Sequence, residues 1–403
     1  MVGPYRNLLR TAGTPRIFAG YFAGRLPAGM VTIAVALAFV DTPGGLTRVG
    51  LVIGAYSLAI AATAPVLGRL ADRFGARVVL RVSGTAYVVL LLLLALSRSA
   101  PAGVSVALSI GCGATYPPVA PTVRALWSRV WPSGSLRAAA FGLDAALVEL
   151  LYLVGPLLAT ALALVGGPRL PLLGLAGLSA LGVVLVTTSR LLPIAPAVQA
   201  VRTWWGPLGR GPVRVLLAVV VLTSAAFGLV EIGVIAFARA TGHPWYAGPL
   251  LAVAAAGSLV GGLVWGSRNV SARPRRQLIV LLAVYIVGVA PLGLLHAPWS
   301  LGLLLLGGQG AVAALLAALN ALTGRLAPAG MAVETYTWLS TGNFVGTAIG
   351  TAVGSVIGHG VGPAAALSGA ALPALAALIV VAVAVPATLG TGPVDLGEPA
   401  RVA

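Results

Sequence analysis

The sequence predicts an all-α integral membrane protein, with twelve transmembrane helices in two pseudo-symmetric six-helix bundles. Three observations carry that prediction. Of 403 residues, 59% are hydrophobic and only 8% charged, against about a quarter charged in a soluble domain. Mean hydropathy is +1.02. The apolar runs are about twenty residues long and unbroken, the length of a membrane-crossing helix. Barrel strands would instead alternate apolar and polar residues over about ten positions.

The basic residues orient the chain. There is no lysine, and all 25 basic residues are arginine. With the first helix running outward, 20 arginines fall in cytoplasmic segments. Arg48, Arg98, Arg169 and Arg239 fall outside, and Arg25 lies within a span. Such asymmetry places both termini in the cytoplasm. The net charge of +17 is therefore topology rather than a nucleic-acid footprint, with some attraction to anionic lipid.

The helices are expected near residues 17–40, 49–68, 78–97, 102–123, 138–165, 170–190, 213–238, 246–266, 278–296, 300–322, 332–357 and 364–388. The first follows an arginine-bearing start and is too long for a signal-peptide core, so it reads as a retained span. The second ends at a charged, glycine-punctuated loop. The fourth holds Cys112, a small apolar filler and the one cysteine, so no internal disulfide is possible. The fifth carries two acids and a Gly-Pro step. The longest break, 191–212, holds Pro193, Pro196, Pro207, Pro212, Trp204 and Trp205, and its tryptophans suit a membrane surface. The resulting domains are a bundle at 1–190, a cytoplasmic linker at 191–212, a second bundle at 213–388 and a cytoplasmic tail at 389–403. The halves look like copies: Gly68 has a counterpart in Gly262, and Gly155 and Ala159 have counterparts in Gly346 and Gly350.

The charged loop, Gly68-Arg69-Leu70-Ala71-Asp72-Arg73-Phe74-Gly75-Ala76-Arg77, follows the pattern G-x-L-a-D-R-x-G-x-R. It resembles the loop between the second and third helices of the major facilitator superfamily of transporters. The resemblance covers nearly the whole chain. Gly155-Pro156 resembles half of the GPxxGG element of drug-type antiporters; Leu151 and Ala159-Thr160 stand where that element has glycines. A Gly-Pro step also removes a helix hydrogen bond and leaves a groove for a neighbour. The mid-membrane arginine of the fourth helix is missing from the expected place. Arg124 reads as a loop-facing anchor at the cytoplasmic end, and Arg25 as the charge that replaces it.

Ionisable residues inside a span are costly and are functional candidates by default. Glu149, near mid-bilayer, is the first proton-coupling candidate, with Arg25, Asp144 and Glu231 beside it. Arg25 and Glu149 are expected to pair while the site is unprotonated. Asp144 is expected to meet Arg77 or Arg137. The resemblance implies a conformational latch of Gly68, Asp72, Arg73, Gly75, Arg77 and Glu334. Asp72 would approach the start of the eleventh helix, with Arg73 or Arg77 separating it from Glu334. It also implies a central path, for which Thr115, Tyr116, Tyr152, Gln309, Asn320, Trp338 and Asn343 are substrate-cavity candidates. A path so apolar suits an amphipathic molecule.

No catalytic constellation is visible. His243, His296 and His359 are far apart and lack metal-site spacing, so neither a metal nor a cofactor is expected, and no enzyme. The expected function is proton-coupled efflux of a small organic molecule by alternating access. An uptake symporter or uniporter on the same fold, and a non-transporting sensor or scaffold, are the alternatives. The expected partners are that substrate, protons and the lipid bilayer of the plasma membrane. Nucleic acid is not among them, and the protein is expected to be monomeric.

Overall fold

The computed structural model describes residues 3–11, 13–43, 45–131, 134–193, 205–243, 246–267 and 274–385, and among them the regular structure is helical. A short helix the sequence reading did not expect, α1 (Gly3–Arg10), comes first. It buries Leu8 and leaves Arg6 and Arg10 exposed. Then follow α2 (Thr14–Phe39), α3 (Gly45–Phe74) and α4 (Ala76–Leu96). The expected loop at 68–77 is mostly helix. α3 runs on through Asp72 to Phe74, and the chain turns at Gly75 alone, whose φ of 91° a side chain would strain.

The expected fourth helix is broken into α5 (Ala102–Ala114) and α6 (Val119–Val130). Pro117 and Pro118 supply no amide hydrogen and push the preceding residues out of the helical region. Next come α7 (Gly134–Gly166), α8 (Leu170–Thr187), α9 (Gly211–Ala240), α10 (Ala247–Ser267), α11 (Pro274–Val289), α12 (Pro298–Leu326) and α13 (Ala332–Gly360). The last expected helix is interrupted between α14 (Pro363–Gly369) and α15 (Ala371–Ala384), where Pro373 has no amide for the Gly369 carbonyl. The centre of the linker, including Pro196, Arg202 and Trp204, and the expected tail lie outside the described residues.

Among the described residues, ten helical segments are long and apolar enough to cross a membrane. Neither the broken α5–α6 pair nor α13 is among them. α13 has ample length, but its stretch from Thr335 to Asn343 is rich in hydroxyl and amide groups. This is a multi-pass membrane protein. In lipid, helix association rests on close packing and hydrogen bonds rather than on the hydrophobic effect.

α2 packs on α7 and α8, and α4 on α5 and α8. α9 packs on α13, α14 and α15, and α12 on α10 and α11. Across the junction of these groups, α7 meets α10 and α12, and α3 meets α13. A buried cluster around Trp127, Phe141, Trp265 and Tyr336 fills that junction. Small residues set the closest approaches. A Cβ on Gly155 would lie 2.6 Å from the Gly29 carbonyl carbon, and one on Gly142 the same distance from the Gly266 Cα. The Gly-Pro step of α7 is thus the groove that receives α2. Cys112 is buried, as a filler should be.

One of the arginines expected outside the membrane, Arg48, is buried. Arg48 stacks over the Phe39 ring at 4.7 Å. It donates to the Ser97 carbonyl (2.9 Å), the Arg98 carbonyl (3.2 Å) and the Ser105 hydroxyl. It thereby ties the start of α3 to the end of α4 and the start of α5.

Candidate functional site

Two charged groupings and one isolated acid stand out. The first joins α3 to α13. Residues at the amino end of a helix have amides with no intrahelical partner, and the residue before α13, Met331, supplies no side-chain cap. Asp72 supplies it from another helix. Its carboxylate accepts from the backbone N–H of Val333 (3.1 Å) and of Glu334 (2.8 Å), where the helix dipole also favours an anion. Gly68, one turn earlier, makes this possible. A Cβ there would strike the Thr337 hydroxyl and lie 2.9 Å from the Glu334 Cα.

The acid opposing Asp72 is neutralised, but not by the expected residues. Arg69 donates to Glu334 Oε1 through Nε (3.0 Å) and Nη2 (2.7 Å). Arg73 lies over the Phe74 ring instead, at 5.0 Å. Arg77 donates to the carbonyls of Ser189 (3.1 Å) and Leu192 (2.6 Å) beyond the end of α8. Arg69 precedes Asp72 by three residues and so shares its helix face, a signal the sequence contained. The end of the linker covers the pair: a Cβ on Gly206 would strike the Glu334 carboxylate.

The second grouping lies where α2, α6 and α7 meet. Asp144 is almost wholly buried. It accepts from Arg124 Nε at 2.8 Å, stands 3.7 Å from Arg25 Nη1, and takes the hydroxyl of Tyr21. Arg25 donates to the Tyr21 oxygen at 2.8 Å. This corrects three expectations. Arg124 turns inward, because the proline-broken α5–α6 connection re-aims α6. Asp144 meets neither Arg77 nor Arg137; the latter reaches the Ala321 carbonyl across the junction. Arg25 does not pair with Glu149, because Asp144, on the same helix, already holds it. Tyr21, one turn before Arg25, escaped the sequence reading.

Glu149 sits midway along α7. It forms no ion pair among the described residues; its Oε1 accepts from the Ser258 hydroxyl of α10 at 2.7 Å. Tyr152, one turn on and largely exposed, lies in electrostatic range of Arg25, Glu149 and Glu231. Of the remaining cavity candidates, Tyr116 packs edge-on to Tyr56 and Tyr87. Thr115 bonds back to the Gly111 carbonyl. Asn343 donates to Ser224 at 2.8 Å, joining α13 to α9. Gln309 and Asn320 are buried within the packing, and Trp338 is partly buried. The structure gathers Arg25, Tyr116, Tyr152 and Glu149 in one region and places Gln309, Asn320 and Asn343 among helix contacts. His243, His296 and His359 are exposed. Among the described residues no cluster of His, Cys, Asp or Glu could hold a metal ion.

Residues 17–351 match the model of the Major Facilitator Superfamily. The chain belongs to that superfamily. Solved structures agree in fold. The human organic anion transporter MFSD10 (TETRAN) superposes with a TM-score of 0.75 at 16% identity, over 94% of this chain and 100% of that one. The E. coli fucose:proton symporter FucP gives 0.71 at 10%, over 91% and 97%. A bacterial homologue of the iron transporter ferroportin, in an outward-facing state, gives 0.72 at 14%, over 91% and 98%. At these identities the likeness is one of fold. No curated protein sequence matches the chain. The members of this superfamily are transporters, which bind small molecules within the membrane.

Proposed function

We propose that this facilitator exports a small amphipathic organic molecule in exchange for protons. In this reading residues 1–190 and 213–388 are two six-helix bundles, joined by the linker 191–212 and followed by the tail 389–403. The α5–α6 pair and α13 serve as the fourth and eleventh of twelve spans. Both termini face the cytoplasm of a plasma membrane, and the protein acts as a monomer.

Glu149 carries the reading. Among the described residues it has no cation partner, and one hydroxyl of α10 holds it across the junction of the bundles. As a carboxylate it can only accept from Ser258; as an acid it can also donate. Its proton therefore acts on the contact between bundles that must rock for alternating access. The Asp72 cap holds the arginine-rich ends together, which is the outward-facing arrangement. The outward-facing state of the ferroportin homologue supports that assignment. The half-preserved Gly155-Pro156 element favours export.

Flux of fluorescent amphipathic dyes from proteoliposomes under an imposed pH gradient tests the proposal. Export against the proton gradient is expected from the native chain and is lost in Glu149→Gln. Dye movement in the same direction as the protons would overturn the exchange reading.

A further inference from the structure

The cluster around Asp144 holds more positive charge than negative. Arg25 and Arg124 share one carboxylate, and among the described residues no other lies within ion-pair distance of either. The sharing is unequal. Asp144 takes the Tyr21 hydroxyl on Oδ1 and Arg124 Nε on Oδ2, while Arg25 stands back at 3.7 Å. A guanidinium inside a span calls for an anion of its own.

Arg25 also has donors to spare. Its Nη1 is engaged by Tyr21. Its Nε and Nη2 make no hydrogen bond among the described residues, and neither is sealed from solvent; 16% of the side chain is exposed. These two nitrogens share one edge of the guanidinium and form a fork that matches a carboxylate. Arg69 uses the same pair on Glu334.

Two phenols complete the surroundings. Tyr116 and Tyr152 lie in electrostatic range of Arg25 and of each other. Neither hydroxyl has a hydrogen-bond partner among the described residues, whereas those of Tyr56 and Tyr87, beside Tyr116, satisfy each other. Tyr152 is 55% exposed and has Glu231 of α9 in range as well as Arg25 of α2, so its ring borders the space between the two groups of helices. Glu149 and Glu231 act on Tyr152 but not on Tyr116, which leaves the Arg25–Tyr116 end as the place for a negative charge. The edge-on rings of Tyr56, Tyr87 and Tyr116 add an apolar wall, the usual companion of a few fixed polar groups in a small-molecule site.

We propose that the open edge of Arg25 binds a carboxylate carried by the transported molecule, with the Tyr116 hydroxyl donating to it, so that the substrates are amphipathic organic acids. This rests on the chain being a transporter, and not on the direction of transport or on Glu149.

The full-length protein, purified in detergent, tests this with three probes built on one fluorophore. They are dansylglycine, its uncharged methyl ester, and dansylethylenediamine, which carries an ammonium group. Binding is titrated by dansyl fluorescence at neutral pH. The native chain should hold dansylglycine about tenfold more tightly than the ester, and Arg25→Gln should abolish that preference. Tyr116→Phe removes a hydroxyl that has no partner among the described residues, so it should fold as the native chain does. It should weaken binding of the acid severalfold and leave the ester unchanged. Equal binding of acid and ester by the native chain, an acid preference unchanged in either variant, tighter binding of the ammonium probe, or no binding of any probe overturns the proposal. Dye export that persists alongside one of those results would leave the transporter reading standing; acid-selective binding without any flux would do the reverse.

Discussion

The carboxylate of Asp72 caps the helix that Glu334 opens, accepting the Glu334 backbone N–H at 2.8 Å from 262 residues away in sequence. Helix caps are ordinarily local. Here the cap belongs to another helix, so it exists only while α3 and α13 touch. Removing a cap costs about 1 kcal/mol, and removing the negative charge at a helix start costs up to about 1 kcal/mol more. Asp72→Asn keeps an oxygen acceptor and loses the charge. It should shift the population away from the closed arginine-rich end by about fivefold. Accessibility of an introduced cysteine to a soluble maleimide checks this; native Cys112 is buried and contributes no background.

Gly68 tests the same contact sterically. Gly68→Val places methyls into Thr337 and the Glu334 backbone, whereas Gly50 of the same helix has nothing within 4 Å. Gly68→Val should open the arginine-rich end to the maleimide, and Gly50→Val should leave it unchanged. Equal accessibility of the two would mean that α3 and α13 do not meet as described.

The Asp144 cluster predicts an ordered loss of stability. Asp144→Asn leaves Arg25 and Arg124 side by side in the interior. Breaking a buried ion pair in this way costs about 3–5 kcal/mol. Arg25→Leu leaves Asp144 with Arg124 and should cost less. Thermal unfolding should rank native above Arg25→Leu, and that above Asp144→Asn. The reverse order would show that Asp144 is not the centre of the cluster.

Tyr5 fastens α1 to α10, donating to the Leu263 carbonyl at 2.6 Å. Burial pushes its phenol up to about 12, from an ordinary 10.0. A group whose folded value is raised contributes stability that is complete below the ordinary value and fades as pH climbs toward the raised one. Tyr5→Phe should therefore lower the melting temperature by the same amount at every pH below 10.0, and the difference should shrink above it. A difference that grew with pH would contradict the assignment.

The helical class and most span positions were legible because length and hydropathy in a bilayer leave few alternatives. The contact of Asp72 with the start of α13 followed from the resemblance of one short motif. What sequence could not supply was pairing across space. Similar depth and a shared bundle put Glu149 within range of Arg25, but neither fixes the direction in which a side chain leaves its helix. Asp144, five residues before Glu149, faces another neighbour and takes Arg25. The direction of Arg124 depends on how the chain leaves Pro117-Pro118, a rigid-body rotation no periodicity encodes. Ser258 carried no signal, since a serine in a span more often bonds its own helix, as Ser179 does with the Leu175 carbonyl.

The most direct test is the distance between the two groups of helices at the arginine-rich end. Exposed Arg81 on α4 and Arg276 on α11 are replaced by cysteine and spin-labelled, and electron–electron double resonance reads their separation in lipid. The native chain should show two distances, with the longer one gaining weight in Asp72→Asn. A single separation, identical in both proteins at every pH, would contradict two bundles that part when Asp72 releases α13.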